Sequence, residues 1–141
     1  MTGIIIATHG DLSLGFLESI DIIMGSQEMM ETVSLKNETG IEGFKKELGR
    51  AINKLSPKDG LLIMTDLKGG TPYNCSLYCS QSREYPFEIK VVCGVNLPML
   101  LETLAFRDSV SLSQLVNIAI TAGKDGIDFS IDADEEEDEE L

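Results

Sequence analysis

Basic residues, histidine and cysteine are scarce in this chain of 141 residues. It has 11 lysines and arginines against 24 aspartates and glutamates, with one histidine and three cysteines. No basic stripe of the kind that binds a nucleic-acid backbone is present, so we expect no nucleic-acid partner. We also expect no metal site, because the cysteine spacing fits no zinc ligand set and one histidine cannot complete it. The cysteines are therefore expected to be reduced thiols.

Long apolar segments are lacking as well. No run approaches the roughly 20 residues that a membrane-spanning helix needs. The first strand pattern begins almost at Met1, which leaves no room for the charged and apolar regions of a secretory leader. Together with the reduced thiols, these features predict a cytoplasmic protein.

Negative charge is concentrated near the C-terminus. Eight acidic residues and no lysine or arginine lie in residues 132–141, and they account for most of the formal net charge of −13. This segment has too few apolar residues to fold, so we expect a disordered acidic tail. Residues 1–131 hold enough apolar residues for one core, and we expect them to form one domain.

Strand and helix patterns alternate along residues 1–131. This order is typical of an α/β fold with a doubly wound, mostly parallel sheet, for which we expect the strand order 2-1-3-4 and helices on both faces. Apolar and polar residues alternate in the final segment of this region, Ile127–Ile131, which predicts an antiparallel C-terminal edge strand. The other predicted strands are residues 3–8, 32–35, 61–65 and 87–92, and the predicted helices are residues 12–24, 41–55, 72–82, 99–106 and 112–122.

The only histidine, His9, follows the first predicted strand, and Asp66 follows the third. In the expected strand order these two strands are neighbours, so their carboxyl ends meet where ligands bind in such folds. Asp66 could accept a hydrogen bond from one ring nitrogen, which would leave the other nitrogen free to take a phosphoryl group. A lone histidine after a strand is more often a solvated loop residue. Its placement beside Asp66 is what favours a histidine that carries a phosphoryl group.

A glycine loop follows Asp66 and opens a helix. The backbone N–H groups of Gly69, Gly70 and Thr71, together with the Thr71 hydroxyl, could hold phosphoryl oxygens. Thr71 followed by Pro72 predicts a helix start with the threonine hydroxyl as its cap. The loop lacks the spacing of a P-loop. A second loop follows another predicted strand and would lie at the rim of the same site; it comprises Asn96, Leu97, Pro98 and Met99.

Three segments resemble the signatures of the mannose-family enzyme IIA, a component of the bacterial phosphoenolpyruvate-dependent sugar phosphotransferase system. The resemblance implies that His9 is the phosphohistidine, formed at Nε2, and that Asp66 is the partner of Nδ1. It also implies that Thr71 and the neighbouring amides surround the phosphoryl group, with Asn96–Met99 shaping the rim. The similarity keeps its order and spacing to about Ala122, and the three segments are Ile-Ile-Ile-Ala-Thr-His-Gly (4–10), Asp-Leu-Lys-Gly-Gly-Thr-Pro-Tyr-Asn (66–74) and Gly-Val-Asn-Leu-Pro-Met-Leu (94–100).

Partners follow from the same resemblance. It implies that the small carrier HPr donates the phosphoryl group, that an enzyme IIB accepts it, and that a membrane IIC/IID permease uses it indirectly. It implies no metal or cofactor, and a homodimer in which the last strand can be exchanged between subunits. The family often continues through a linker into a IIB domain; because this chain ends in acids, we expect a free-standing IIA.

Other interpretations stay open at the level of sequence. The chain could be the phosphoryl-donor subunit of a dihydroxyacetone kinase, whose first domain shares this architecture. It could also be a non-enzymatic domain that binds a regulator according to its phosphorylation. The sugar is not determined either, since selectivity belongs to the permease and enzyme IIB: mannose, fructose, sorbose, amino sugars and gluconate all remain.

Overall fold

The computed structural model describes residues 1–130, which contain four strands and five helices. The predicted acidic tail, residues 132–141, lies outside the described residues. The order of elements is the predicted alternation of strands and helices. The strands are β1 (Gly3–His9), β2 (Met30–Leu35), β3 (Leu61–Thr65) and β4 (Ile89–Val92), and the helices are α1 (Leu12–Met24), α2 (Gly40–Leu55), α3 (Thr71–Gln81), α4 (Leu97–Phe106) and α5 (Leu112–Asp125).

The four strands form one parallel sheet in the order β2-β1-β3-β4, which confirms the predicted order. Ile5 in β1 lies between Glu31 of β2 and Ile63 of β3. The connections from the two central strands leave in opposite directions, so a crevice opens at the carboxyl ends of β1 and β3.

Helices cover both faces of the sheet, as predicted. Alternate residues of a strand face opposite ways, and β1 therefore contributes Ile4 and Ile6 to one apolar cluster and Ile5 and Ala7 to another. The first cluster lies under α1, α4 and α5, and the second lies under α2 and α3. Both central strands are therefore buried on two sides up to the crevice, where His9 is the exposed end of β1.

Arg107 fixes the end of the sheet opposite the crevice. Its side chain is buried, and its Nη2 donates to the carbonyl of Glu28 at 2.6 Å, while Nη1 donates to the carbonyls of Thr2 and Met29 at 3.4 and 3.3 Å. Burial lowers the pKa of this guanidinium. These contacts tie together the segments that lead into β1 and β2.

The predicted C-terminal strand is not formed within the described residues. Residues 127–130 have no regular structure, and Ile127 and Phe129 are 76% and 82% exposed. An edge strand requires a neighbour that supplies backbone hydrogen bonds, and none is paired with this segment in residues 1–130. Pairing with a second chain stays a prediction, and Ile131 lies outside the described residues.

Helix boundaries differ from prediction where capping decides them. α3 begins at Thr71, but the extended residue Gly70 is its N-cap and no side chain caps it, so the predicted threonine cap is wrong. α4 begins at Leu97, two residues earlier than expected, because Asn96 caps it by accepting a hydrogen bond from the Met99 N–H.

Among residues 1–130, no helix has the length and apolar character needed to cross a membrane.

Candidate functional site

β1 and β3 bring His9 and Asp66 into contact at the crevice. Nδ1 of His9 lies 2.9 Å from Oδ2 and 3.1 Å from Oδ1 of Asp66. The backbone N–H of His9 also donates to Oδ2 of Asp66, at 3.0 Å. One carboxylate therefore fixes both the main chain and the ring of His9.

This contact assigns different roles to the two nitrogens of the His9 ring. A carboxylate only accepts hydrogen bonds, so Nδ1 carries the proton and the neutral ring keeps its lone pair on Nε2. The His9 side chain is 44% exposed, whereas that of Asp66 is 14% exposed. The nitrogen that keeps its lone pair therefore belongs to a partly exposed ring, while the carboxylate that orients the ring is shielded.

Gly70 packs directly against the imidazole. A Cβ atom at this position would lie 2.7 Å from Cε1 and 3.3 Å from Nε2 of His9. The free nitrogen therefore faces the glycine loop and the start of α3. Because the first N–H groups of a helix lack intrahelical acceptors, this direction is favourable for an anion.

The donors that the loop offers differ from those expected. The N–H of Gly70 donates to the Leu67 carbonyl at 3.1 Å, so it is already used. Pro72 has no N–H. Within residues 1–130, the N–H groups of Gly69, Thr71 and Tyr73 have no acceptor. Of the expected donors, Gly69 and Thr71 are therefore available, and Tyr73 in the first turn of α3 is an additional donor that the sequence did not indicate.

The turn after His9 is held by residues that the sequence did not single out. The buried Thr8 hydroxyl accepts the Ser13 N–H at 2.8 Å, and thereby caps α1, for which the Asp11 side chain provides no cap. Gly10, with a φ of +56°, donates its N–H to the Leu35 carbonyl at 2.8 Å. The sequence signal for this cap was the position of Thr8, a threonine at the end of a strand and five residues before the helical amide of Ser13.

The predicted rim follows β4 and lies beside the end of β3, because the Val95 N–H donates to the Thr65 carbonyl at 3.0 Å. Its residues have mainly packing roles. The Asn96 side chain caps α4 and donates to the Gly123 carbonyl at 2.9 Å. Met99 is 4% exposed and belongs to the core, while Leu97 and Pro98 are partly exposed.

In the part of the chain that the structure describes, no group of three or more histidine, cysteine, aspartate or glutamate side chains could hold a metal ion. Lys36 pairs with Asp11 at 2.7 Å, and this contact, above all, raises the pKa of the lysine. The lysine charge is thus already partnered next to the turn that follows His9.

The known proteins that match this chain agree on one family, the EIIA components of the phosphotransferase system (PTS). Residues 3–120 match the family EIIA-man, described as the PTS system fructose IIA component. The chain is 30% identical over 118 residues to the PTS system fructose-specific EIIA component of Bacillus subtilis (strain 168), covering 83% of this chain and 78% of that protein. It is 31% identical over 114 residues to the sorbose-specific EIIA component of Lacticaseibacillus casei, covering 81% and 80%.

A longer relative and a solved structure extend the comparison. The chain is 30% identical over 125 residues to the mannose-specific EIIAB component of Escherichia coli (strain K12), covering 88% of this chain but only 38% of that protein. The crystal structure of phosphotransferase system component EIIA from Streptococcus agalactiae superposes with a TM-score of 0.82 at 32% identity, covering 92% of this chain and 97% of that one. This chain therefore belongs to the mannose family of EIIA components of the phosphotransferase system, as its resemblance implied.

Proposed function

We propose that this chain is a phosphocarrier that accepts a phosphoryl group from phospho-HPr on Nε2 of His9 and passes it to an EIIB partner. The observation that carries the proposal is the contact between Nδ1 of His9 and Asp66 at 2.9 Å. That contact leaves the second ring nitrogen as a nucleophile, on a side chain exposed enough for two proteins to reach it in turn.

The transfer is balanced at each atom. The Nε2 lone pair attacks phosphorus while the bond from phosphorus to the donor nitrogen of HPr breaks. The proton stays on Nδ1, and the positive charge that develops on the ring is stabilised by Asp66. Negative charge is spread over three phosphoryl oxygens, for which the N–H groups of Thr71 and Tyr73 are donors. Delivery to EIIB reverses these steps.

Incubation with phosphoenolpyruvate, enzyme I and HPr tests the proposal. We expect one phosphate per chain, labile in acid and stable in alkali, on His9, and none in a His9→Ala variant. The same assay on an Asp125→Asn variant, altered at the far end of α5, is the control. The absence of phosphate on the wild-type chain would overturn the proposal, as would wild-type incorporation in His9→Ala.

The acceptor and the sugar follow from a second assay. The phosphorylated chain is mixed with candidate EIIB proteins, and the partner that discharges it identifies the pathway and, through its IIC/IID permease, the sugar. These steps would occur in the cytoplasm, where HPr and EIIB act. The matched relatives are sugar-specific EIIA or EIIAB components, so the dihydroxyacetone kinase alternative is not favoured. A purely regulatory domain would be favoured if no EIIB discharged the phosphorylated chain.

The proposed carrier is a homodimer held in part by its last segment. Ile127 and Phe129 alternate with polar residues and are almost fully exposed, and an unpaired alternating segment pairs readily with a second chain. A chain ending before Gly126 is expected to sediment with a smaller dimer fraction than the full chain at equal concentration. An undisturbed dimer would show that the last segment contributes nothing to association, and a wild-type monomer would exclude the homodimer.

A further inference from the structure

Asn74 lies in the first turn of α3, and none of the roles described so far uses its side chain. Its Nδ2 donates to the Gly69 carbonyl at 3.0 Å. Gly69 has a φ of +81°, so it is the residue at which the chain turns before α3 begins. The Asn74 side chain therefore reaches back from the helix to the loop that faces His9.

The Gly69 carbonyl is the acceptor that a longer helix would use. Helical N–H groups donate to the carbonyl four residues earlier, so a helix extended upstream would join the Tyr73 N–H to Gly69. This bond is absent, whereas the Asn74 N–H donates to the Gly70 carbonyl at 2.9 Å. The Asn74 side chain, and not the Tyr73 N–H, donates to the Gly69 carbonyl.

We infer that Asn74 is a positioning residue that keeps the N–H of Tyr73 free to donate to the phosphoryl group on His9, an inference that rests on the function proposed above. By holding the Gly69 carbonyl, it fixes the point at which α3 starts and leaves its first turn open. Asn74 itself does not touch the reacting atoms. It acts through the backbone of Gly69 and Tyr73.

A purely structural role accounts poorly for this contact. The Asn74 side chain is exposed, and hydrogen bonds at exposed positions add little to stability. Alanine is also the best helix former, so replacing Asn74 with alanine leaves α3 intact. The effect of the substitution is therefore expected at the loop and not in the stability of the fold.

The experiment compares Asn74→Ala with Asn117→Ala, which removes a second exposed asparagine from α5 on the opposite face of the sheet. Phosphoryl transfer from HPr is followed by rapid quench, and the midpoint of thermal unfolding is measured alongside. Loss of one well-placed donor to a charged group is expected to slow transfer about 10- to 100-fold in Asn74→Ala. The control is expected to transfer at the wild-type rate, and both variants to unfold like the wild type.

Amide chemical shifts report directly on the hydrogen bonds of the Tyr73 and Thr71 N–H groups, and a change in stability alone would not alter them. Phosphorylation of the wild type is expected to shift the Tyr73 and Thr71 amide protons downfield, as new hydrogen bonds to an anion do. In phosphorylated Asn74→Ala, the Tyr73 shift is expected to be lost, because that N–H turns to the Gly69 carbonyl. Wild-type shifts together with a wild-type transfer rate in Asn74→Ala would overturn the inference. If the wild-type chain takes no phosphate, the failure belongs to the proposed function instead.

Discussion

The imidazole of His9 occupies the volume that a side chain on Gly70 would need, since a Cβ there would lie 2.7 Å from Cε1. Gly70 has a φ of −74° and a ψ of 168°, a conformation that any residue adopts. The glycine is therefore required by the ring that packs on it and not by its own backbone.

Replacing Gly70 with alanine is expected to displace the ring of His9 from its position against the loop. Misplacing a reacting group by about 1 Å can cost about 100-fold in rate, and we expect a loss of this order in phosphorylation by phospho-HPr. Gly15→Ala in α1 is the control, because a Cβ there would meet no atom within 4 Å and the residue does not have a positive φ. A wild-type rate in Gly70→Ala would refute the packing argument.

Asp66→Asn tests whether the charge of Asp66 matters beyond its shape. Asparagine can still accept from the ring and backbone N–H groups of His9, but it stabilises the positive ring less. Hydrogen bonds to charged groups contribute about 1.5–3 kcal/mol, so we expect phosphoryl transfer to slow by about 10- to 100-fold with circular dichroism unchanged. Transfer within a factor of two of the wild type would remove the Asp66 charge from the mechanism.

Thr103→Val is expected to leave the protein as stable as the wild type or to stabilise it by about 1 kcal/mol. The Thr103 hydroxyl is fully buried and has no hydrogen-bond partner within the described residues, and valine has nearly the same shape. Thr65→Val is the matched substitution, because the Thr65 hydroxyl donates to the Val92 carbonyl at 2.9 Å. We expect it to destabilise the fold, as measured by urea unfolding. Equal destabilisation by both substitutions would contradict this account.

The thiol of Cys79 is expected to react slowly with iodoacetamide. Burial, above all, raises the pKa of Cys79, so at pH 8 less of it is thiolate than in a free cysteine. Alkylation should accelerate as the pH rises through this higher pKa, and unfolding in guanidinium chloride should restore the rate of a free thiol. Peptide-resolved mass spectrometry measures both. Labelling of the folded chain at the rate of free cysteine would contradict the prediction.

Much of the fold and the central contact of the site were predictable from sequence, because they rest on short-range patterns. Two apolar strands, each followed by a polar residue, were enough to place His9 and Asp66 together once the strand order was expected to be 2-1-3-4. Helical periodicity likewise gave α1 its observed bounds, since Gly25 ends the pattern. The bounds of α1 need only the identity of neighbouring residues, whereas the contact between His9 and Asp66 also needed the strand order that is common in this fold class.

The details that prediction missed depend on contacts that no local pattern specifies. The hydroxyl of Thr71 was expected to cap α3, but Gly70 fills that position, and the Gly70 N–H expected to hold phosphate is bound to Leu67. Residues 127–130 alternate like a strand, yet alternation does not supply a neighbour to pair with. The reach of Asn74 to Gly69 depends on the turn between them, whose geometry is known only from the folded chain.

Pro72 leaves the opening turn of α3 one amide short. Each N–H group contributes about 1.5–3 kcal/mol to binding a charged oxygen. A full set of donors would therefore bind the phosphoryl group tightly and slow its transfer to the acceptor protein. The proposed carrier has to release the phosphoryl group as readily as it accepts it. A missing donor in this turn therefore favours turnover over affinity.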